Sequence, residues 1–245
     1  MTAAAASEGE ITLSIVVPAY NEAANVEPVV DEILETIDQN PWVGRFEIVL
    51  VDDGSRDETG AIMDRLAREH AELVVVHHQA NRGFGAGLKS GFAKSSGRFV
   101  TLISADGEIG AGHSLSLLRE IGDADLILSR RERTVNAGRT LLTRGVDWTV
   151  RLILGFWPAQ AQGIYLVRGD LLRAMPLYSD TGLVNLEIIL YCRHLRRKIT
   201  IASVPQITRP RLSGESKVTN LRTIVRLLGE MVTLRLRLRR EGREP

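Results

Sequence analysis

Short apolar runs alternate with longer amphipathic stretches through the first half of the chain. The short runs are rich in β-branched residues, which is typical of buried strands, and the stretches between them have the periodicity of helices. The predicted strands are Ile11–Val17, Phe46–Val51, Leu73–His77, Phe99–Ser104 and Asp125–Ser129, and the predicted helices follow the loop Pro18–Glu22 to about Asp38 and cover Glu58–Glu69 and Gly85–Ser95. This alternation predicts an α/β fold with a mostly parallel sheet flanked by helices.

The second half of the chain has a looser pattern. It predicts helices over Arg139–Leu154 and Val184–Leu195, an extended segment over Gly163–Val167, and an edge strand over Lys198–Val204 that ends at Pro205. Residues Leu221–Val232 carry their apolar positions on one helical face, opposite Arg222 and Arg226. This pattern predicts an amphipathic helix, whereas the alternating leucines and arginines of Leu234–Arg240 leave the helical phase open.

Length and composition are those of one mid-sized domain. The chain has 245 residues, of which 44% are hydrophobic and 25% are charged. These values exclude disordered and collagen-like classes. We expect a disordered tail over residues 1–10, a single α/β domain over residues 11–218 and a basic amphipathic helix or tail over residues 219–245.

Charge and cysteine usage narrow the function classes further. The 31 Lys and Arg residues against 30 Asp and Glu leave a net charge of +1, which argues against a nucleic-acid binder. The basic excess is concentrated after Arg209, so a faintly acidic body carries a basic end. The single cysteine, Cys192, excludes an internal disulfide and fits a cytoplasmic protein. No apolar run approaches the ~20 residues of a membrane span, so we expect a protein that is soluble or sits on a membrane without crossing it.

Polar side chains collect where the predicted strands end. They are Pro18, Tyr20, Asn21 and Glu22 after the first strand, Asp52, Asp53, Gly54 and Ser55 after the second, and Ser104, Asp106 and Glu108 after the fourth. Because ligands of such sheets bind at the carboxyl ends of the strands, these groups are expected to share one cleft. Several carboxylates in one cleft suit a hard divalent cation. Taken singly, the Asp-Asp-Gly-Ser segment also fits an ordinary turn.

Three segments carry a family resemblance. Ser14-Ile-Val-Val-Pro-Ala-Tyr-Asn-Glu22, Ile48-Val-Leu-Val-Asp-Asp-Gly-Ser55 and Asn81-Arg-Gly-Phe-Gly-Ala-Gly87 resemble the family 2 glycosyltransferases of GT-A fold, in the branch of the dolichyl-phosphate mannose synthases. The resemblance runs from about Leu13 to Lys217. It implies that residues 11–218 form a GT-A domain. The implied activity is metal-dependent, inverting sugar transfer from a nucleoside-diphosphate sugar to a polyprenyl phosphate at the cytoplasmic membrane face.

The resemblance also implies roles for individual residues. The nucleotide-sugar contacts would be Pro18, Tyr20, Glu22, Val51, Asp53, Ser104, Ala105 and Asp106, with Arg211 and Lys217 closing over the diphosphate. Asp53 would read the base. Asp106 and Glu108 would hold Mg²⁺ or Mn²⁺. Arg130, Arg139 and Thr143 match positions that hold phosphates of donor and acceptor.

Two departures from the family pattern affect these expectations. Ser104 stands where the family usually has the first aspartate of its Asp-x-Asp motif, and Glu108 stands where relatives often have glutamine. One interpretation is that Asp106 and Glu108 share the ion while Ser104 hydrogen-bonds the ribose; the other is a weakened or absent metal site. Tyr165 replaces an arginine that the branch often has, which leaves the acceptor open.

Two alternatives to transfer onto a polyprenyl phosphate therefore stay open. The same fold could act on a hydroxyl of a saccharide or small metabolite, with Asp180 or Glu187 as the base that such an acceptor requires. The chain could also bind a sugar nucleotide without catalysis. A nicotinamide enzyme is excluded because Leu88 occupies the third glycine of the GxGxxG pattern.

The donor and the membrane partner are also open. The donor could carry GDP or UDP. The basic helix could lie on a membrane surface, pack on the domain, or leave anchoring to a small partner protein.

Overall fold

The computed structural model of the protein describes residues 12–131, 148–155, 164–206, 209 and 221–240. The strands are Leu13–Ala19 (β1), Phe46–Asp52 (β2), Leu73–His77 (β3), Phe99–Leu102 (β4), Leu126–Arg131 (β5), Tyr165–Arg168 (β6) and Ile199–Gln206 (β7). The helices are Val26–Asp38 (α1), Thr59–Glu69 (α2), Phe84–Lys94 (α3), Ala111–Glu120 (α4), residues 148–154 (α5), Gly169–Ala174 (α6), Val184–His194 (α7) and Leu221–Arg240 (α8), with a short 3₁₀ helix at Pro41–Val43.

The strands form one seven-stranded sheet in the order β3-β2-β1-β4-β6-β5-β7. All neighbouring strands are parallel except that β6 runs antiparallel to both β4 and β5. The predicted α/β fold with a mostly parallel sheet is therefore confirmed. The register pairs Ala19 with Asp52 and Val16 with Leu102, so the carboxyl ends of β1, β2 and β4 meet at one edge.

Strand β1 extends two residues further than its predicted end, through Pro18 and Ala19. Proline is unfavourable in a central strand because it lacks the N–H that the ladder needs. Here the Ala19 carbonyl accepts from Asp53 N on the β2 side, so the backbone of Pro18 faces the β4 side. Strand β4 ends at Leu102, opposite Val16, so the missing N–H of Pro18 costs no hydrogen bond.

Two hydrophobic layers cover the sheet. Alternate residues of β1 point to opposite faces: Ile15 and Val17 join the layer formed with α1, α2 and α4, whereas Val16 joins the layer formed with α3, α6 and α7. Each fully buried aliphatic side chain in these layers contributes about 1.5–3 kcal/mol to folding. The two layers thus fix the register of the strands and hold their carboxyl-end loops in place.

A third hydrophobic cluster attaches α8 to the domain. Its buried members are Val150 and Leu154 of α5, Leu183 and Leu190 at α7, and Met231, Leu234 and Leu238 of α8. The helix runs unbroken to Arg240, so the alternating segment after Leu234 keeps the helical phase of the residues before it. The apolar side chains of Met231, Leu234 and Leu238 on α8 therefore pack on the domain.

The predicted boundaries differ from the structure mainly in the middle of the chain. Helix α4 was not predicted: it begins next to Gly110 and contains Gly112, both weak helix formers, and packing of Leu115 and Leu118 stabilises it instead. Helix α6 has six residues, too few to show a period. The predicted edge position of β7 agrees with the sheet order. The predicted tail, the start of the first strand and most of the helix predicted over Arg139–Leu154 lie outside the described residues.

Candidate active site

The loop after β1 is fastened to the loop after β2 by side-chain hydrogen bonds. Asn21, whose φ is +52°, donates its N–H to Ser55 Oγ at 3.0 Å, and its own Oδ1 accepts from Arg56 N at 2.8 Å. Glu22 N donates to Thr59 Oγ1 at 2.8 Å. These bonds hold Tyr20 and Glu22 at the carboxyl edge of the sheet, where the sequence predicts the nucleotide.

Asp53 is buried, and its carboxylate accepts four hydrogen bonds from the segment that leads into α3. Oδ1 accepts from His78 Nδ1 at 2.6 Å and from Arg82 N at 2.9 Å. Oδ2 accepts from Asn81 Nδ2 at 3.0 Å and from Gly83 N at 2.8 Å. Four donors use the acceptor capacity of a carboxylate. Asp53 therefore ties the end of β2 to residues 78–83.

His78 is a site residue that the sequence analysis missed. Its ring is enclosed between Asp53 and Ser90 Oγ, which lies 2.8 Å from Nε2. The neighbouring His77 makes the equivalent connection at the surface, from Asp52 to Asp64. Hydrogen bonding to Asp64 and then to Asp52 raises the pKa of His77. Neither histidine has metal-ligand spacing in the sequence, so no sequence signal pointed to these roles.

The predicted metal residues lie on one tight turn after β4. Gly107, with φ +69°, donates its N–H to the Ser104 carbonyl at 3.2 Å, and Glu108 N donates to Asp106 Oδ1 at 3.1 Å. Ala105 is buried, whereas Ser104, Asp106 and Glu108 are partly exposed. The turn thus presents two carboxylates and a hydroxyl at the same sheet edge as Asp53.

Within the part of the chain that the structure describes, no group of three or more His, Cys, Asp or Glu side chains is arranged to hold a metal ion. An ion at this turn would have Asp106 and Glu108 as protein ligands and would need other oxygens around it. Mg²⁺ accepts this arrangement, because it usually keeps several waters and is bound by one or two carboxylates together with substrate phosphates. The donor set therefore fits a divalent cation that arrives with a diphosphate.

Arg209, which follows β7, contacts the turn of residues 104–108, called the acidic turn below. Its N–H donates to the Glu108 carbonyl at 2.8 Å, and its guanidinium Nη2 lies 2.8 Å from Glu32 Oε2 on α1. Glu32 also accepts from Ala111 N at 3.1 Å. Arg209 is therefore held beside the acidic turn. Four predicted site residues, Arg139, Thr143, Arg211 and Lys217, lie outside the described residues, and Arg130 is described only as a backbone position in β5.

The glycine-rich turn before α3 packs against the loop Tyr178–Thr181. Gly85 N donates to the Asp180 carbonyl at 2.9 Å, and a Cβ on Gly85 would lie 2.3 Å from the Thr181 carbonyl oxygen. Lys89 of α3 pairs with Asp180 Oδ1 at 2.7 Å. The glycine pattern that suggested a nucleotide loop thus serves close packing between two loops at the sheet edge.

The buried Glu187 of α7 holds the Tyr178–Thr181 loop in place. It is 1% exposed and accepts hydrogen bonds from Tyr178 N at 3.0 Å and Ser179 N at 3.1 Å. Burial raises its pKa from 4.5 to about 7, and the nearby Glu230 carboxylate of α8 adds to the effect. Glu187 is therefore engaged with the backbone, and Asp180 is engaged with Lys89, so the two candidate bases for a hydroxyl acceptor both have structural partners.

Glu187 leads to a pH prediction. The folded protein keeps a proton on Glu187 that the unfolded chain loses above pH 4.5, so this contribution to stability is fully present below pH 4.5 and is lost as the pH rises through about 7. From about pH 5.5 to about pH 8 the free energy of unfolding should fall by about 2 kcal/mol more in the wild type than in Glu187→Gln. Urea unfolding at both pH values measures this. Glu69→Gln, at an exposed position, should keep the wild-type pH dependence; an identical dependence in Glu187→Gln would contradict the prediction.

Tyr165 begins β6 beside the carboxyl end of β4, but its side chain is buried in the core. It is 1% exposed in β6, and its hydroxyl donates to Asn185 Oδ1 at 3.1 Å. Burial raises the pKa of the Tyr165 hydroxyl. The tyrosine therefore supports the packing of β6 on α7. Because its side chain is buried, it does not offer an exposed group in place of the arginine that the branch often has.

A mostly parallel sheet with polar loops collected at its carboxyl edge agrees with the GT-A fold that the sequence motifs implied. The family model for glycosyl transferase family 2 matches residues 14–165. The chain therefore belongs to this family, as the sequence motifs predicted.

Curated relatives match part of the chain. A dolichyl-phosphate beta-glucosyltransferase of Trichomonas vaginalis (ALG5C) is 33% identical over 105 residues, which cover 41% of this chain and 31% of the relative. The dolichyl-phosphate beta-glucosyltransferase of Saccharomyces cerevisiae is 31% identical over 103 residues, which cover 40% of this chain and 30% of the relative. The matched part of the chain spans about a third of the length of these relatives.

Solved structures agree with the fold. Glucosyl-3-phosphoglycerate synthase from Mycobacterium tuberculosis, in complex with Mn²⁺, UDP-glucose and phosphoglyceric acid, is 20% identical with a TM-score of 0.66, and the match covers 93% of this chain and 80% of that one. TarS 1–349 from Staphylococcus aureus, in complex with UDP-GlcNAc, is 16% identical with a TM-score of 0.61, and the match covers 90% and 66% of the two chains. Among the described residues, none of the helices combines the length and apolarity needed to cross a bilayer.

Proposed function

We propose that the protein transfers a sugar from a nucleoside-diphosphate donor to a polyprenyl phosphate, with inversion at the sugar and with the help of a divalent cation. The observation that carries the proposal is the acidic turn of Asp106 and Glu108, which the backbone N–H of Arg209 contacts, two residues before Arg211 in the sequence. Carboxylates with a cation on one side and basic side chains on the other suit a departing diphosphate. The names of the dolichyl-phosphate relatives support a lipid-phosphate acceptor.

The donor subsite would lie along the carboxyl ends of β1 and β2. Pro18, Tyr20, Glu22 and Val51 would line the nucleotide. Asp53 would meet the base by releasing the 3.0 Å hydrogen bond from Asn81, which leaves its other three partners in place. Ser104 and Ala105, on the turn after β4, would lie at the ribose.

The charge of the leaving group requires compensation. Asp106 and Glu108 would hold Mg²⁺ or Mn²⁺, and the cation would neutralise charge on the diphosphate as the bond to the sugar breaks. Arg211 and Lys217 would close over the same diphosphate, and Arg130, Arg139 and Thr143 would hold the phosphates of donor and acceptor. The side chains of these five residues take their roles from the family motif.

A polyprenyl phosphate acceptor agrees with the surroundings of the Glu187 and Asp180 carboxylates. A polyprenyl phosphate is ionised near neutral pH, so its oxygen attacks the sugar without a general base. Glu187 and Asp180 are engaged with the backbone of the Tyr178–Thr181 loop and with Lys89, which suits a reaction that needs neither as a base. Direct attack inverts the anomeric centre in one displacement. A lipid acceptor would put the reaction at a membrane surface, for which we propose the cytoplasmic face.

The test is a transfer assay with labelled GDP- and UDP-sugars, polyprenyl phosphate, and Mg²⁺ or Mn²⁺. We expect label in the organic phase with one of the donors and only in the presence of a divalent cation. Label that remains in the aqueous phase with all donors, in protein that binds a nucleotide, would overturn the lipid-phosphate acceptor.

Replacing Lys217 by alanine should raise the Kd of the donor nucleotide sugar about tenfold, because one charge on the diphosphate loses its partner. Isothermal calorimetry with the donor measures the change. Lys198→Ala is the matched control: this lysine pairs with Asp123 at the opposite sheet edge, so the donor affinity should stay at the wild-type value. An unaltered affinity in Lys217→Ala would contradict the role of the late basic segment.

A further inference from the structure

Helix α8 carries two apolar rows, and only one of them packs on the domain. Met231, Leu234 and Leu238 form the buried row. The second row, at spacings of four residues, consists of Leu228, Val232 and Leu236, which are 38%, 49% and 51% exposed. The two rows are offset by about a third of a turn around the helix. The exposed row is therefore not needed for attachment of α8 to its own domain.

Helix α5 borders the exposed row. Arg235 lies between the two rows of α8, and its Nη1 donates to the Leu154 carbonyl at the end of α5 at 3.5 Å. The side of α5 opposite its buried residues carries Trp148 and Leu152, which are 62% and 87% exposed. We call the exposed row of α8, Leu228, Val232 and Leu236, the docking face.

The charged side chains of α8 are almost all positive. This helix contains six arginines and a single acidic residue, Glu230. Glu230 points away from the exposed row, because its carboxylate accepts hydrogen bonds from Ser179 Oγ and, at 2.6 Å, from Thr181 Oγ1. Apolar side chains interleaved with arginines suit the headgroup region of a bilayer that contains anionic lipids.

The docking face also lies at the end of the molecule where the candidate site is. Arg226 of α8 approaches Asp180 at 3.8 Å, and the Asp180 carbonyl accepts from Gly85 N in the glycine-rich turn. That turn is connected to Asp53 through Gly83 N. A surface that contacts α8 would therefore be near the carboxyl edge of the sheet.

We propose that the docking face binds the surface of a bilayer that contains anionic lipids, with its apolar side chains among the headgroups and the net positive charge of α8 attracted to the lipid phosphates. The proposal deepens the proposed function and rests on it for its purpose, because it would bring the site to a membrane-borne acceptor. The exposed apolar row of α8, in contrast, is seen in the structure and does not depend on the proposed function.

The experiment measures sedimentation of the purified full chain with vesicles. We expect binding to vesicles of phosphatidylglycerol and phosphatidylcholine, weaker binding to phosphatidylcholine alone, and further weakening as salt screens the charges. The triple variant Leu228→Gln, Val232→Gln, Leu236→Gln should bind the anionic vesicles at least about tenfold more weakly. Glutamine keeps helix propensity at these exposed positions, so the variant should fold, as circular dichroism will verify.

The matched control replaces two other exposed aliphatic residues, in the double variant Leu195→Gln, Ile201→Thr. They are 44% and 41% exposed outside the docking face, so vesicle binding should stay at the wild-type value. Equal binding by the triple variant and the wild type would overturn the proposal, as would absence of binding to all vesicles. A dimer seen by light scattering that the triple variant abolishes, without vesicle binding, would assign the face to a second copy and also overturn it.

The two proposals fail separately. Donor binding is measured by calorimetry without vesicles, and transfer is measured with polyprenyl phosphate in detergent. Intact vesicle binding without transfer would refute the proposed acceptor and leave the docking face standing. Transfer in detergent by a protein that does not bind vesicles would refute the docking face alone.

Discussion

Replacing Asp106 by alanine is expected to lower the kcat of sugar transfer by at least about a hundredfold, which corresponds to about 2.7 kcal/mol of transition-state stabilisation. Asp106 is one of two carboxylates on the turn after β4, and Ser104 leaves that turn without the first acid of the family motif. Loss of one of two carboxylates should therefore weaken the cation severely. The measurement is kcat at saturating donor over a range of Mn²⁺ concentrations, with calorimetry of nucleotide binding with and without Mn²⁺.

Asp123→Ala is the matched control for Asp106→Ala. Asp123 precedes β5 at the opposite sheet edge and pairs with Lys198 at 2.5 Å, so its loss should leave kcat within about a factor of two. If Asp106→Ala also stayed within a factor of two of the wild type, and nucleotide binding kept its response to Mn²⁺, the assignment of the cation to this turn would be wrong.

Replacing Gly85 by alanine is expected to lower the free energy of unfolding by about 2–3 kcal/mol. A Cβ at this position would lie 2.3 Å from the Thr181 carbonyl oxygen and 2.6 Å from the Asp180 carbonyl carbon. Both atoms belong to the backbone of a loop that Glu187 and Glu230 hold in place, so the clash is relieved only by moving the whole loop. Urea unfolding measures the loss, and calorimetry should show weaker donor binding.

Gly112→Ala separates this clash from the general effect of a methyl group in a helix. Gly112 is the second residue of α4 as Gly85 is of α3, and a Cβ there would meet no atom within 4 Å. Alanine at Gly112 should leave stability unchanged or raise it by up to about 1 kcal/mol. Equal effects at the two positions would show that the packing of the glycine-rich turn on the Tyr178–Thr181 loop does not determine the result.

The strands of the parallel sheet were predictable because their apolar runs are short and β-branched. The direction of β6 was not, since a buried run such as Tyr165–Arg168 reads the same for either orientation. Helix α4 was also not predictable, because its glycines lower its intrinsic propensity and tertiary packing stabilises it. The two apolar rows of α8 follow from its period, but which row is buried depends on α5 and α7.

The location of the candidate site was predictable because strand order and parallel direction bring the polar loops to one edge. The partners of the site residues were not. Asp53 is bound by His78 and by the backbone of Arg82 and Gly83, which are distant in sequence and lack any periodic signal. Tyr165 replaces an arginine of the branch, but the sequence does not show that its side chain is buried and that its hydroxyl donates to Asn185 on α7.

The four hydrogen bonds on Asp53 have an electrostatic consequence for helix α3. The positive end of a helix dipole is a place where many nucleotide-binding folds seat a phosphate. Here the amides of Arg82 and Gly83, at the start of α3, point at a carboxylate of the protein itself, and the amide of Gly85 points at the Asp180 carbonyl. The helix therefore already carries an internal counter-anion. If the proposed function holds, the negative charge of a bound diphosphate is balanced elsewhere, by an ion and by other cationic side chains.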